Sequence, residues 1–176
     1  MPKSLIVVNG PMGVGKTTVS RLLVESLPGS TAWLDGDWCW MMHPFRVTDE
    51  NKRMVEDNVG HVLRGFLANS SFDQVVFSWV LHQTEILDRL LSRLGDLDYR
   101  LCWFTLVATP LALRDRIAED GGGDAAIEAS LERLSHYASQ PSRKIDTTGR
   151  SVADVVSEIR RDFMAGELWP PTGAAT

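Results

Sequence analysis

Short apolar runs alternate along this chain with longer segments whose apolar residues recur three and four positions apart. Five short runs predict strands, and they lie at residues 5–8, 31–34, 75–80, 101–107 and 144–148. The first four are apolar and rich in β-branched or aromatic residues, as buried parallel strands usually are. Strands that alternate with helices predict a parallel sheet with right-handed crossovers in a three-layer α/β sandwich.

The segments between the strands show the 3.6-residue spacing of amphipathic helices. Helices are predicted around residues 19–27, over 48–69, around 86–94, from 110 to the glycines at 121–123, as one short helix near 131–137, and after 151. Thr109 and Ser151 are predicted to cap the helices that follow them, and Pro110 suits a first helical turn. The Trp- and Met-rich stretch 38–45 fits neither a strand nor a helix period.

Composition limits the classes of protein that the chain can represent. The 176 residues, 44% hydrophobic and 23% charged, suit one globular domain, which we expect to span residues 1–168. The Pro-, Gly- and Ala-rich residues 169–176 are predicted to be a disordered tail. A net charge of −5 disfavours a nucleic-acid surface, and no apolar run has the length of a membrane helix. The two cysteines lie in apolar segments, which indicates reduced thiols and a cytoplasmic location.

Residues 10–17, Gly-Pro-Met-Gly-Val-Gly-Lys-Thr, match the phosphate-loop pattern G-x-x-x-x-G-K-[ST] at every fixed position. The motif follows a predicted strand and precedes a predicted helix, so backbone N–H groups and the helix N-terminus can hold nucleotide phosphates. Lys16 is expected to reach the β- and γ-phosphates, and the Thr17 hydroxyl to bind Mg²⁺. The chain is therefore predicted to bind a nucleoside triphosphate. The predicted loop contacts are Gly10, Met12, Gly13, Val14, Gly15, Lys16, Thr17 and Thr18.

Asp35 and Asp37 follow the second predicted strand, next to the phosphate loop. Phosphoryl transfer needs Mg²⁺ and a group that accepts the proton of the attacking hydroxyl. One carboxylate can orient metal-bound water while the other faces the acceptor. The alternative interpretation is a solvated Asp-Gly-Asp turn.

The aromatic stretch after Asp37 is the candidate acceptor pocket, because such pockets are mostly apolar with a few polar groups. Its alternative role is a segment folded over the core. The candidate acceptor contacts beyond the two aspartates are Trp38, Trp40, Met41, Arg46 and His82, with Gln83 as a further polar candidate.

From residue 3 to residue 164 the order of motifs resembles the small P-loop kinases, the group that includes shikimate and gluconate kinases, chloramphenicol phosphotransferase and tunicamycin-resistance-type ATP-binding proteins. The residues that carry the likeness are the loop 10–17, the Asp35-Gly36-Asp37 turn and the Asp146-Thr147-Thr148 ending. The resemblance implies a nucleotide-kinase-like P-loop NTPase fold with strand order 2-3-1-4-5. It also implies ATP and Mg²⁺ as cofactors, with Asp35 on the metal side and Asp37 as the general base.

The same resemblance implies a lid after the fourth strand, at about residues 114–138. Arginines of such a lid stabilise the charge of the transferred phosphoryl group. Arg116 and Arg133 are the candidates for that catalytic role beside Lys16, and Arg114 is a candidate nucleotide contact. The alternative interpretation of each is an ordinary arginine on a helix surface without a role in the site.

Two features depart from the family pattern. The third strand ends in Ser78-Trp79, without the acidic residue that many P-loop proteins place there, which leaves Asp35 as the metal carboxylate. The Gly-Gly pair that shikimate kinases carry after this strand is also absent, which disfavours shikimate as the acceptor.

The sequence therefore predicts a kinase that transfers the γ-phosphate of ATP to a hydroxyl of a small molecule, such as an antibiotic or another natural product. A nucleoside or nucleotide kinase is one alternative, supported by the basic residues Arg46, Lys52 and Arg53. The other is an ATP-binding resistance or switch protein that sequesters a ligand without phosphorylating it. The expected partner is a small-molecule acceptor, with no nucleic acid and no membrane, and the chain is expected to be a monomer or a homodimer.

Overall fold

The computed structural model describes residues 3–166, which form a five-stranded parallel sheet between two layers of helices. Its strands are β1 (Lys3–Asn9), β2 (Thr31–Asp35), β3 (Gln74–Trp79), β4 (Tyr99–Val107) and β5 (Arg143–Asp146). They lie in the spatial order β2-β3-β1-β4-β5, and every neighbouring pair is parallel. The predicted fold class and strand order are confirmed.

Seven α-helices connect and cover the strands within this range. They are α1 (Lys16–Ser26), α2 (Asp49–Ala68), α3 (Thr84–Ser92), α4 (Pro110–Glu119), α5 (Asp124–Glu132), α6 (Leu134–Ser139) and α7 (Val152–Met164). The predicted caps form: the Thr109 hydroxyl accepts a hydrogen bond from the Ala112 N–H at 3.3 Å, and the Ser151 hydroxyl accepts one from the Asp154 N–H at 3.1 Å. These bonds satisfy donors that a helix start leaves unpaired.

One local prediction needs correction, and one segment without a predicted element is now defined. The single short helix expected near 131–137 is two helices, α5 and α6, which meet at Arg133. The stretch 38–45, which fitted neither period, begins inside a 3₁₀ helix at Gly36–Trp40. A 3₁₀ turn has three residues per turn and is short, so it leaves no apolar stripe to detect. The predicted tail, residues 169–176, lies outside the described residues.

Alternate residues of β1 point to opposite faces of the sheet and enter two separate cores. Leu5 and Val7 pack with α2 and α3, whereas Ile6 and Val8 pack with α1 and α7. Burial on both faces explains why the central strand is a continuous apolar run. Across residues 3–166, no helix is both long enough and apolar enough to span a membrane.

Candidate active site

The phosphate loop, residues 10–17, joins β1 to α1 at the carboxyl end of the sheet. Gly13 has a φ of +77°, and a Cβ built there would lie 2.6 Å from Cγ1 of Ile117 on α4. A side chain at this position would therefore strain the backbone and separate the loop from α4. The glycine that the motif requires is thus also needed for packing against the helix that starts the predicted lid.

Lys16 is buried at the start of α1, and its ammonium donates a hydrogen bond to the Pro11 carbonyl at 2.8 Å. Burial lowers the pKa of Lys16 to about 8, and the negative charges of Asp37 and Asp35 oppose part of that shift. The side chain is therefore a desolvated cation held beside the loop. An anionic ligand bound there would offset the free-energy cost of burying this charge.

The Thr17 hydroxyl donates a hydrogen bond to Oδ2 of Asp35 at 3.0 Å, so the two predicted metal ligands are in direct contact. Asp35 ends β2 and is buried. A hydroxyl and a carboxylate beside a phosphate loop are hard oxygen donors, the kind that Mg²⁺ takes together with substrate phosphates. The residues present fit that ion.

Asp37 lies two residues beyond Asp35, on the wall of the open cavity described below. Its Oδ1 accepts a hydrogen bond from the Trp79 indole N–H at 3.1 Å, and its backbone N–H donates to Oδ1 of Asp35 at 3.1 Å. Partial burial, followed by the charge of Asp35, raises the pKa of Asp37, while Lys16 and the Trp79 bond oppose the rise. A raised pKa makes the carboxylate a stronger proton acceptor.

Gly36 separates the two aspartates because the Trp79 ring packs directly on it. A Cβ at Gly36 would lie 2.3 Å from Cγ of Trp79. The Asp-Gly-Asp sequence is therefore the product of close packing with β3 in addition to turn formation. This contact fixes the direction in which the chain leaves β2 and therefore the position of Asp37.

A cavity of about 1350 Å³ opens at this edge of the sheet, between the phosphate loop, the segments that follow β2 and β3, and helices α2 to α6. One wall is apolar and is formed by Trp40, Met41, Met42, Phe45 and Val47. The lining on α2 and α3 is charged instead and carries Lys52, Glu56 and Arg89. We call the part next to the loop the donor half, and the part lined by these apolar and charged residues the acceptor half.

The Arg89 guanidinium donates two hydrogen bonds to the Glu56 carboxylate, at 2.9 and 2.7 Å. We call the line along which α2 meets α3 and the turn after it the seam. Two further ion pairs along this seam join α2 to the turn after α3, and they are Arg93 with Asp57 and Arg64 with Asp96. Neither of those pairs lines the cavity. The Glu56 side chain is 14% exposed, against 63% for both Asp57 and Asp96.

The predicted lid region supplies two arginines to the cavity. The Arg116 guanidinium donates to the hydroxyl of Thr147 at 3.0 Å and to its carbonyl at 2.9 Å, which ties α4 to the end of β5. Arg133 also lines the cavity, and within residues 3–166 its guanidinium has no hydrogen-bond or ion-pair partner. Arg133 is therefore available to an anion, whereas Arg116 must first release Thr147.

Several predicted site residues are not brought to the cavity. Arg114 lies on the exposed face of α4, and Trp38 packs its ring against Trp33 at 5.0 Å, away from the cavity wall. Arg46 does not line the cavity, and its carbonyl accepts a hydrogen bond from the Asn51 side chain. For Trp38 the reason is geometric, since it lies two positions before Trp40 in a 3₁₀ helix and the two side chains leave that helix in different directions. Among the predicted contacts, Trp40, Met41 and His82 do line it, as does Gln83.

Three elements of the site escaped the sequence analysis. The first two are the Glu56–Arg89 pair and the buried tyrosine Tyr137 of α6, which lines the cavity. The third is a buried network in which the Asn9 amide bonds to the Leu81 carbonyl at 3.1 Å and to the Gln140 side chain at 2.7 Å. This network joins the phosphate loop, the segment after β3 and the end of α6. An isolated polar residue at the end of an apolar strand, as Asn9 is, was the only available signal.

Comparison with known proteins supports the same architecture. The sequence matches the model of the family described as AAA domain over residues 6–136, well over half of the chain. The chain belongs to that family. None of the curated proteins that were compared matches it.

Several solved structures share the fold at low sequence identity. The tunicamycin resistance protein of Deinococcus radiodurans is 22% identical with a TM-score of 0.67, over 96% of this chain and 99% of that chain. A gluconokinase from Sinorhizobium meliloti 1021 is 21% identical with a TM-score of 0.67, over 93% of each chain. A shikimate kinase from Acinetobacter baumannii is 19% identical with a TM-score of 0.66, over 94% and 96%. The predicted likeness to small P-loop kinases is thereby confirmed at the level of fold.

Proposed function

We propose that this protein is an ATP- and Mg²⁺-dependent phosphotransferase that acts on a hydroxyl group of a small molecule. The observation that carries the proposal is the arrangement of the two aspartates. Asp35 contacts Thr17 of the phosphate loop, and Asp37, two residues later, reaches the cavity wall. A metal-side carboxylate and an acceptor-side carboxylate then meet at the boundary between the donor and acceptor halves, as in-line phosphoryl transfer requires.

In this proposal each residue has a separate role. The phosphate loop and Lys16 would bind the triphosphate, and Thr17 and Asp35 would hold Mg²⁺, which would supply positive charge to offset that of the phosphates. Asp37 accepts the proton of the attacking hydroxyl. Arg133, whose guanidinium is unpaired among the described residues, stabilises the transferred phosphoryl group, and Arg116 joins it when the region 114–138 closes as a lid.

The acceptor half favours a molecule with an apolar or planar part, such as an antibiotic, another natural product or a nucleoside. Its apolar wall contains two aromatic and two methionine side chains, and Trp40 and Phe45 lie in ring contact at 5.8 Å. The names of the structural neighbours supply the range of precedents: tunicamycin resistance, gluconate and shikimate. The structure gives less support to a nucleotide acceptor. Three basic residues favoured it, Arg46, Lys52 and Arg53, and only Lys52 lines the cavity.

The alternative function, sequestration of a ligand without phosphorylation, is favoured by one observation. At the end of β3, where a second metal carboxylate is common, Ser78 accepts a hydrogen bond from the Trp33 indole N–H at 3.1 Å. The site therefore relies on Asp35 as its metal-side carboxylate.

A pooled transfer assay decides between the two functions. The protein is incubated with γ-labelled ATP, Mg²⁺ and a library of sugars, nucleosides, amino acids and hydroxylated antibiotics, and products are read by mass spectrometry. We expect one acceptor class to gain a single phosphoryl group. ATP binding without transfer to any acceptor would contradict the kinase and favour sequestration.

A further inference from the structure

The acceptor half of the cavity holds charged side chains whose charges cancel one another. Arg89 is bonded through two nitrogens to Glu56, and the Lys52 ammonium is bonded to Asp49 at 3.1 Å. Asp37, on the boundary with the donor half, adds a negative charge, and no cation of residues 3–166 lies at hydrogen-bond distance from it. The acceptor half therefore presents no net positive charge to a ligand.

The Glu56–Arg89 pair differs from the other ion pairs of the same seam in its position. It is the pair that reaches the cavity, and its carboxylate is largely covered while those of Asp57 and Asp96 are open to solvent. Arg64 and Asp96 also share two hydrogen bonds, so the feature that distinguishes Glu56–Arg89 is its covered carboxylate beside the cavity, although the Arg89 side chain itself is 51% exposed. A covered carboxylate is screened less by solvent than an exposed one, which strengthens its contact with the guanidinium. An incoming anion would have to compete with a carboxylate already seated on the guanidinium.

The remaining polar groups of this half do not supply a replacement cation. Partial burial, together with the charge of Arg133 and the neighbouring His136, lowers the pKa of His82, which favours the neutral imidazole. Gln83 is uncharged. The available cations, Lys16 and Arg133, lie where the proposed function needs them for the ATP phosphates.

We propose that the Glu56–Arg89 pair is a specificity determinant that selects an uncharged acceptor and rejects carboxylate- or phosphate-bearing ones. This inference rests on the proposed function and narrows its substrate class. The pair offers a hydrogen-bond donor and an acceptor side by side, which matches a neutral hydroxyl or amide group of the acceptor. An anion placed there would face Glu56 at close range, and like charges in a partly desolvated cavity disfavour binding.

The test measures binding of matched neutral and anionic probes to the ATP-analogue-loaded chain. The pairs are glucose with gluconate, methyl shikimate with shikimate, and uridine with uridine monophosphate, each followed by the fluorescence of the cavity tryptophans Trp40 and Trp79 and by calorimetry. Glu56→Gln keeps the shape of the side chain and frees Arg89. Asp57→Asn removes the same charge from the pair that does not reach the cavity and serves as the matched control.

We expect Glu56→Gln to tighten binding of at least one anionic probe about tenfold, since a charge-assisted hydrogen bond becomes available. Asp57→Asn should bind all probes as the unmodified chain does. No gain of anion binding in Glu56→Gln over Asp57→Asn would overturn the inference, as would an unmodified chain that prefers the anionic member of a pair.

Failure of the proposed function has a different signature. A chain that binds ATP but transfers phosphate to nothing in the pooled assay contradicts the kinase, whatever the probes show. A chain that phosphorylates gluconate or uridine monophosphate supports the kinase and overturns the selection of uncharged acceptors.

Discussion

The donor half and the acceptor half of the cavity differ in how far the chain itself determines their geometry. In the donor half Lys16 and Asp35 are buried and held by hydrogen bonds to Pro11 and Thr17. In the acceptor half the exposed fraction is 84% for Met41 and 64% for Phe45. Internal hydrogen bonds therefore hold the donor half, whereas part of the apolar wall is open to solvent.

This difference follows from what each half has to recognise. Phosphates are the same in every nucleoside triphosphate, so a rigid set of backbone N–H groups and fixed side chains serves them. An apolar wall that stands open to solvent has surface left to bury, and a ligand or a closing lid can cover it. Exposed methionines, which are flexible, also adapt to acceptors of different shape.

The largest expected effect comes from Asp37, which lies where the halves meet. Asp37→Asn removes the proposed base while it keeps the size of the side chain, so we expect transfer to fall by about 10²–10⁴-fold. ATP affinity, measured by titration calorimetry, should stay close to that of the unmodified chain, because the residue is placed on the acceptor side. Unchanged turnover would show that the proton leaves by another route.

A substitution of Lys16 tests the donor half. We expect it to weaken ATP binding without lowering the stability of the ligand-free chain. Lys16→Met should weaken ATP binding by roughly 100-fold, since a buried cation facing the phosphates is lost. The ligand-free variant should be as stable as the unmodified chain or more stable, because a desolvated charge disappears.

The sign of the pH dependence follows from the same side chain. A pKa of about 8 in the folded chain, against 10.5 for an ordinary lysine, means that the unfolded chain binds more protons between these values. The stability of the unmodified chain should therefore rise with pH over this window, and Lys16→Met should lose that rise. Thermal melts at several pH values measure both, and a variant that melts well below the unmodified chain at every pH would contradict the account.

The smallest effect is expected on the open apolar wall. Phe45→Ala should raise the KM for the acceptor identified in the pooled assay severalfold, because one aromatic contact is lost from an exposed position. Stability and ATP affinity should hardly change. Leu111→Ala is the control, since Leu111 is equally exposed on α4 but does not line the cavity. Equal effects of the two substitutions on KM would show that the apolar wall does not contact the acceptor.

Much of the fold could be predicted because the signals are local. Four of the five strands contain runs of mostly apolar residues, and Thr109 and Ser151 are capping residues next to the helices they begin. The segment without a predicted element, the 3₁₀ turn at Gly36–Trp40, and the missed break at Arg133 are both short and carry no periodic stripe. Short irregular elements are determined by their surroundings more than by their own residues.

The candidate site could be predicted only in part. The placement of Thr17 against Asp35 agrees with the roles inferred for them, and those roles remain proposals. Trp38, Arg46 and Arg114 were chosen by position along the chain, and the structure places none of them on the cavity wall. A stretch of aromatic residues indicates a pocket without showing which of its side chains turn inward.

The sequence by itself determined the alternating α/β architecture, the phosphate loop and the pair of aspartates after β2, because each depends on residues that are neighbours along the chain. Only the tertiary structure decided that Trp79 packs on Gly36 and orients Asp37, and that Ile117 packs on Gly13. It also decided that Arg89 is already paired with Glu56, 33 residues away. Contacts between distant residues are chosen by how the sheet and helices pack together, and several partners would satisfy the same polar group, so a charge pattern alone does not identify which of them meet.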